Sequence, residues 1–270
     1  MPARSSSPAR RRRLRAWALG LTPVLLLLVV GAAQVVRDRL TREDVAGSAP
    51  GPVLLVSGYG GSTSALSALG DRLSASGRRV VLVPPVGDNT GDLSDQARNL
   101  DAVARRELAT GAASVDVIGY SAGGVVVRVW AARLGGAAVA RRIITLGAPH
   151  HGTDVAQLAA GALGGGCPVA CRELAPSGDL LRDLPDAPAG PGWTSVWSAT
   201  DELVSPPGSS RLSGAVDVEL QAVCPGVRVS HGELPTDPLT VGIVRQALAG
   251  SGLPGVPSPS RCAELRAAGS

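Results

Sequence analysis

The sequence predicts an α/β fold, a mostly parallel central sheet flanked by helices. Three observations carry this expectation. Short apolar runs bounded by glycine or proline recur at 53–56, 80–83, 114–118 and 142–146. The segments between them place apolar residues at helical spacing. One of the runs passes through a Gly-x-Ser-x-Gly turn straight into an apolar helical stretch. Strands alternating with helices imply βαβ units and therefore parallel pairing.

In chain order, Val53-Leu54-Leu55-Val56 reads as a fully buried strand, because a parallel strand covered on both faces is apolar throughout. Ser62 or Thr63 is placed to cap a helix carrying Leu66, Leu69 and Leu73. Val80-Val81-Leu82-Val83 is the next strand, stopped by Pro84-Pro85. A second amphipathic helix carries Leu93, Ala97, Leu100, Val103 and Leu108. Ser114 to Ile118 is the third strand, followed by the turn and a helix reaching Leu134, and Arg142 to Leu146 is the fourth. Beyond Gly147 the pattern loosens. Trp193–Ser198 and Val216–Leu220 are two more strands, and Asp237–Ala249 is a closing helix. The Pro- and Ser-rich stretch from Ser251 is expected to be irregular. Phe is absent, so aliphatic side chains must build the core.

The formal charge is +4, but it is unevenly spread. Arg4, Arg10, Arg11, Arg12, Arg13 and Arg15 precede any acid, and Asp38 is the first. The body of the chain has no basic, aromatic-interleaved stripe, which excludes a nucleic-acid partner from this reading. The Arg cluster runs into an apolar stretch, Ala16 to Val36, which reads as a charged n-region followed by a membrane-directed segment. Its length favours a retained anchor over a short cleavable core, with the remainder of the chain outside. Gly31-Ala32-Ala33 leaves cleavage open.

Four cysteines, Cys167, Cys171, Cys224 and Cys262, agree with export. Three connectivities are possible. Cys167–Cys171, closing a tight loop, and Cys224–Cys262, tying the tail to the body, is the favoured pairing. A metal site is the weaker reading, because the spacings do not repeat and no His lies nearby.

The strongest chemical signal is Gly119-Tyr120-Ser121-Ala122-Gly123, directly after a strand and opening a helix. That is the context a nucleophile elbow requires. A serine hydroxyl needs a base. The chain has three histidines. His150 and His151 sit together just after the fourth strand and read as hydrogen-bonding turn residues, since a His pair alone lacks further metal ligands. His231 follows the serine with room for an acid between, the order expected of a strand–elbow–helix nucleophile. Asp201, in the turn after Trp193–Ser198, is the candidate acid, and Glu202 is its neighbouring alternative. Asp217 and Glu219 alternate within a strand and read as surface residues. The backbone N–H of Ala122 and of Tyr59, in the loop Ser57-Gly58-Tyr59-Gly60-Gly61, are the candidate oxyanion donors. A phosphate loop is excluded: the chain contains no Lys.

These residues resemble the secreted actinobacterial triacylglycerol lipases and esterases of the α/β-hydrolase superfamily. The resemblance rests on Val56–Gly61, the elbow, Leu146-Gly147-Ala148-Pro149-His150-His151-Gly152-Thr153, Ser198–Pro206, and Ser230-His231 with Leu234-Pro235-Thr236-Asp237-Pro238. Cys167 and Cys171 also match a Cys pair of that group. It implies an α/β-hydrolase fold with a triad at Ser121, Asp201 and His231. Two departures touch substrate preference. Ser57-Gly58 stands where such lipases usually carry His-Gly, and Tyr120 and Ala122 replace the His and Met of a common elbow. The expected organisation is a signal or anchor segment at 1–40, a linker at 41–52, the catalytic domain at 53–250 and a disulfide-tethered tail at 251–270. The expected activity is carboxylic ester hydrolysis by an extracellular or cell-surface monomer on ester or lipid substrates, with the membrane met through the N-terminal segment and no cofactor. Acyl transfer on the same fold, and an idle hydrolase-fold binding module, are the alternatives. Residues 155–192 are the place for a lid, if one covers the site.

Overall fold

A computed structural model describes residues 45–163, 166–250 and 252–270. The N-terminal Arg cluster and the apolar segment at 16–36 lie outside the described residues. Among the described residues no helix is long and apolar enough to cross a membrane.

Among the described residues six strands form one parallel sheet: β1 Val53–Val56, β2 Val80–Leu82, β3 Val115–Tyr120, β4 Ala140–Leu146, β5 Gly192–Trp197 and β6 Val216–Glu219. The order is β2-β1-β3-β4-β5-β6. The main helices between them are α1 Ser64–Ala75, α2 Leu93–Ala109, α3 Ala122–Arg133, α4 Asp154–Leu163, α5 Val169–Glu173 and α6 Asp179–Arg182. After β6 come α7 Leu220–Val223, α8 Pro238–Leu248 and α9 Cys262–Gly269.

The unbroken apolar runs have a direct explanation. Successive strand residues point to opposite faces, and both faces are covered. Leu54 and Val56 of β1 join Val117 and Ile143 beneath α2 and α3. Val53 and Leu55 join Ile118, Ile144 and Val196 beneath α1 and α8. The helix after β1 thus lies on one face and the helix after β3 on the other. The two strands are neighbours in the sheet, so their connections part at this point and leave a crevice at the strands' carboxyl ends, where ligands bind in open α/β sheets.

Three features differ from the expectation. β3 runs to Tyr120, two residues past Ile118, so the elbow begins within the strand. β4 starts at Ala140 and includes the buried Arg141 and Arg142. Arg141 and Arg78 both donate to Asp116 Oδ2 at 2.6 Å, which makes two cations tolerable at the sheet. The C-terminal stretch is irregular only in part, because Cys262–Gly269 is a helix packed across α8. A Cβ on Gly242 would lie 1.9 Å from the Leu265 carbonyl oxygen, and one on Gly269 1.9 Å from that of Pro238. Two glycines therefore let the helix backbones touch. Only Leu265 supplies a large buried apolar side chain in α9, too little for a periodic signal in the sequence.

Both disulfides are present, Cys167–Cys171 and Cys224–Cys262. The second joins residues 38 apart and fixes the start of α9 to the end of α7. A bridge of this kind contributes about 2–5 kcal/mol, chiefly by restricting the unfolded chain.

Candidate active site

Ser121 stands between β3 and α3 with φ 57° and ψ −131°, a strained conformation for a residue with a side chain. The surrounding chain enforces it. A Cβ on Gly119 would lie 2.6 Å from Gly124 Cα, and one on Gly123 would lie 2.4 Å from the Val56 carbonyl oxygen. Strand, elbow and helix pass each other at backbone contact distance, so the motif's flanking glycines are a steric requirement. Ser121 N–H donates to the Leu146 carbonyl at 2.8 Å and ties the elbow to β4.

The loop following β5 brings Asp201 to this point, and the segment before α8 brings His231. His231 Nε2 lies 2.9 Å from Ser121 Oγ, and Nδ1 lies 2.7 Å from Asp201 Oδ2. The other oxygen of Asp201 accepts the backbone N–H groups of Leu203 and Val204 at 2.9 and 2.8 Å. An acceptor-only carboxylate facing Nδ1 places the ring proton there and leaves Nε2 free to accept from the serine. Both side chains are buried.

Glu202, the neighbouring alternative to Asp201, has a different place. Its exposed side chain accepts the backbone N–H of His231 at 3.1 Å. On the other side of the same residue, the Tyr120 hydroxyl donates to the His231 carbonyl at 3.1 Å. The Tyr120 hydroxyl is pushed up to about 12 by burial first and then by the carboxylates of Asp201 and Glu202, so it stays a donor. Glu233 closes a capping box on Ser230, and Thr200 holds Val229. Gly147, with φ +53°, completes the site: a Cβ there would fall 2.5 Å from Leu234 Cδ1 and 3.3 Å from His231 Cε1. Tyr120, Glu202 and Gly147 had no such roles in the sequence reading. The only signal was adjacency to the elbow, to the acid and to the end of a strand.

Ala122 is the first residue of α3, where a backbone N–H has no intrahelical partner. Gly58 packs directly on Ser121, since a Cβ on it would lie 2.7 Å from Ser121 Cβ. Tyr59 and Ser121 both line an apolar cavity of about 280 Å³. Its far walls come from α4, through Val155, Ala156 and Ala159, from Cys171 of α5 and Leu174 just after it, and from Leu203 and Val204.

His150 lies away from this chemistry. It is fully buried, with Nε2 at 3.0 Å from Thr145 Oγ1 and its carbonyl accepting from Arg128 at 2.7 Å. Burial first, then the charges of Arg128 and His151, press its pKa down to about 3, so it stays neutral. His151 is exposed. Asp217 is half-buried on β6 and accepts the Trp197 indole N–H, and Glu219 is half-buried beside it. Among the described residues no group of three metal-binding side chains converges.

The architecture is an α/β-hydrolase fold. Similar solved structures include a lipase B from Aspergillus fumigatus, 21% identical with a TM-score of 0.66, the match covering 83% of this chain and 57% of that one. The Bacillus licheniformis lipase BlEst2 in its mature form is 19% identical with a TM-score of 0.60, covering 74% and 92%. The product of the gene lin2722 from Listeria innocua is 16% identical with a TM-score of 0.54, covering 78% and 98%. The chain thus spans little more than half the length of the Aspergillus lipase. At these identities the likeness establishes the fold alone. No protein-family model and no curated protein sequence matches the chain.

Proposed function

We propose that the protein is a serine hydrolase of carboxylic esters, a lipase or esterase, with Ser121, His231 and Asp201 as its triad. The observation that carries this reading is the hydrogen-bonded line from Asp201 through His231 to Ser121 Oγ, ending at the mouth of an apolar cavity. His231 Nε2 takes the hydroxyl proton as Ser121 Oγ attacks the ester carbonyl. Asp201 stabilises the imidazolium that forms. The N–H groups of Tyr59 and Ala122 receive the negative charge on the carbonyl oxygen. His231 then returns the proton to the leaving alkoxide, which departs as the alcohol. Water, deprotonated by His231, adds to the acyl-enzyme, and collapse releases the acid and restores the serine. No step draws on a cofactor.

The cavity supports an apolar acyl chain as the bound part of the substrate. Tyr59, Val155 and Leu203 are large apolar side chains exposed at its rim. On p-nitrophenyl esters of rising acyl length, kcat/KM should increase with chain length until the cavity is filled. Ala159→Trp should cut kcat/KM for the longer esters by about tenfold or more and leave the acetate nearly unchanged. Failure of every ester to react, together with failure of a fluorophosphonate to label Ser121, refutes the reading. Product analysis with a competing alcohol separates hydrolysis from acyl transfer.

Export belongs to the same proposal, with the protein acting as a monomer outside the cytoplasm, in the manner of the secreted lipases its motifs resemble. Two disulfides are compatible with that compartment. Fractionation should find the activity in the membrane pellet if Ala16–Val36 is retained, or in the medium with an N-terminus near Gln34 if it is cleaved. Activity confined to the cytosol on an intact chain overturns it.

A further inference from the structure

We propose that Asn89 is a positioning residue that holds the oxyanion loop in register with Ser121. The inference rests on the hydrolase reading above and adds a residue to it.

The loop after β1 has one internal backbone bond, Gly61 N–H to the Gly58 carbonyl at 3.2 Å. Gly60 and Gly61 follow one another with φ of +81° and +66°, conformations that cost glycine nothing and restrain it little. Yet Tyr59, just before them, must present its N–H to a developing oxyanion within a few tenths of an ångström. The constraint comes from the loop after β2. Asn89 is buried, at 4% exposure, and has φ +56°. Its Oδ1 accepts the Val86 N–H at 2.7 Å, which settles the orientation of the amide and turns Nδ2 the other way. Nδ2 then donates to Ser57 Oγ at 3.0 Å, with the Gly58 carbonyl further off at 3.4 Å. Gln96 of α2 in turn donates to the Asn89 carbonyl at 3.3 Å, anchoring the bracket to a helix.

The line of support is therefore Gln96, Asn89, Ser57, and then Gly58 leading to Tyr59. It also gives a use to Ser57, which is 1% exposed. The hydroxyl is the handle by which a neighbouring loop grips this one. Asn89 touches no reacting atom. Its effect on catalysis must pass through the loop, and must appear in the transition state more than in substrate binding.

The test uses Asn89→Gly, Ser57→Ala and the double variant in the full oxidised protein. Glycine accepts φ +56° freely, so Asn89→Gly removes the hydrogen bonds without straining the backbone. Each single variant should lower kcat about 10–100-fold with KM within about threefold, since loss of a whole oxyanion donor costs about 10²–10³. The affinity of an alkylboronic acid, whose tetrahedral adduct on Ser121 places an oxygen in the oxyanion site, should fall in step with kcat/KM. The double variant should be no worse than the poorer single, because both cut one linkage. The acid limb of the kcat/KM profile should not move, because His231 and Asp201 are untouched. A kcat within twofold of wild type, or losses that multiply in the double variant, overturns the inference while leaving the hydrolase reading intact. Should Asn89→Gly fail to fold, Ser57→Ala alone decides by the same kcat and boronate criteria. A wild-type protein inert to all esters takes down both.

Discussion

Ser121→Ala and His231→Ala should each lower kcat on a short p-nitrophenyl ester by about 10⁴ or more, and combining them should cost little beyond either alone. The reason is the single proton path. In the proposed mechanism Ser121 Oγ is activated by Nε2, 2.9 Å away, and Nε2 accepts because the Asp201 carboxylate, 2.7 Å from Nδ1, holds the ring proton there. Asp201→Asn should cost a similar or slightly smaller factor, because an amide facing Nδ1 with its NH₂ favours the wrong tautomer. Glu202→Gln should cost far less, since it removes only a charge-assisted bond to the His231 backbone. Steady-state kinetics on variants with unchanged thermal midpoints checks this. Near wild-type turnover in His231→Ala, with activity abolished in His151→Ala, would assign the base to the wrong histidine.

Asp116→Ala should destabilise the fold by about 3–5 kcal/mol, the range seen when a buried ion pair loses one partner. Asp116 is fully buried near the start of β3, and its Oδ2 receives both Arg78 and Arg141 at 2.6 Å. Arg141 is 1% exposed and would be left as a buried cation held only by the Leu248 and Gly250 carbonyls. For a domain of this size the midpoint of thermal unfolding should fall by roughly 10 °C. By contrast, removing Asp95 from its exposed pair with Arg98 should change stability by less than about 1 kcal/mol. Asp116 lies in the body of the sheet, away from the elbow, so kcat per folded molecule should survive. A shift of under 2 °C would mean that solvent or the carbonyl cage compensates the charge.

The two predictions mark different kinds of legibility. The elbow could be read from sequence because its constraint is local: a strand, a turn needing glycine two residues before and after the serine, and a helix all lie within ten residues or so. The sheet order was legible only as a class. Alternating apolar runs imply parallel βαβ units, but the pairing of β1 with both β2 and β3, and hence the crevice at Ser121, depends on which face each connecting helix covers. Asp116 gave no sign of its role, since one acid in Val115-Asp116-Val117 reads as a polar interruption until Arg78 and Arg141 arrive from other strands and loops. The helix Cys262–Gly269 was hidden for the opposite reason. Its stability comes from backbone contact through Gly242 and Gly269 and from the bridge at Cys262, and none of these leaves a hydrophobic period.

The amino-acid order alone carried the succession Ser121, Asp201, His231, the strand-to-helix turn on which Ser121 stands, and the apolar runs that must be covered on both faces. Which of two adjacent carboxylates faces the imidazole emerges from the folded chain. Asp201 and Glu202 are one residue apart, so spacing cannot separate them. The fold does, because the Leu203 and Val204 N–H groups turn Asp201 inward to His231 Nδ1, while Glu202 is left outside to hold the backbone of the same histidine. The same holds for the bracket from Gln96 through Asn89 to Ser57. Its members are unremarkable as letters and become a support only when the loops after β1 and β2 are brought side by side.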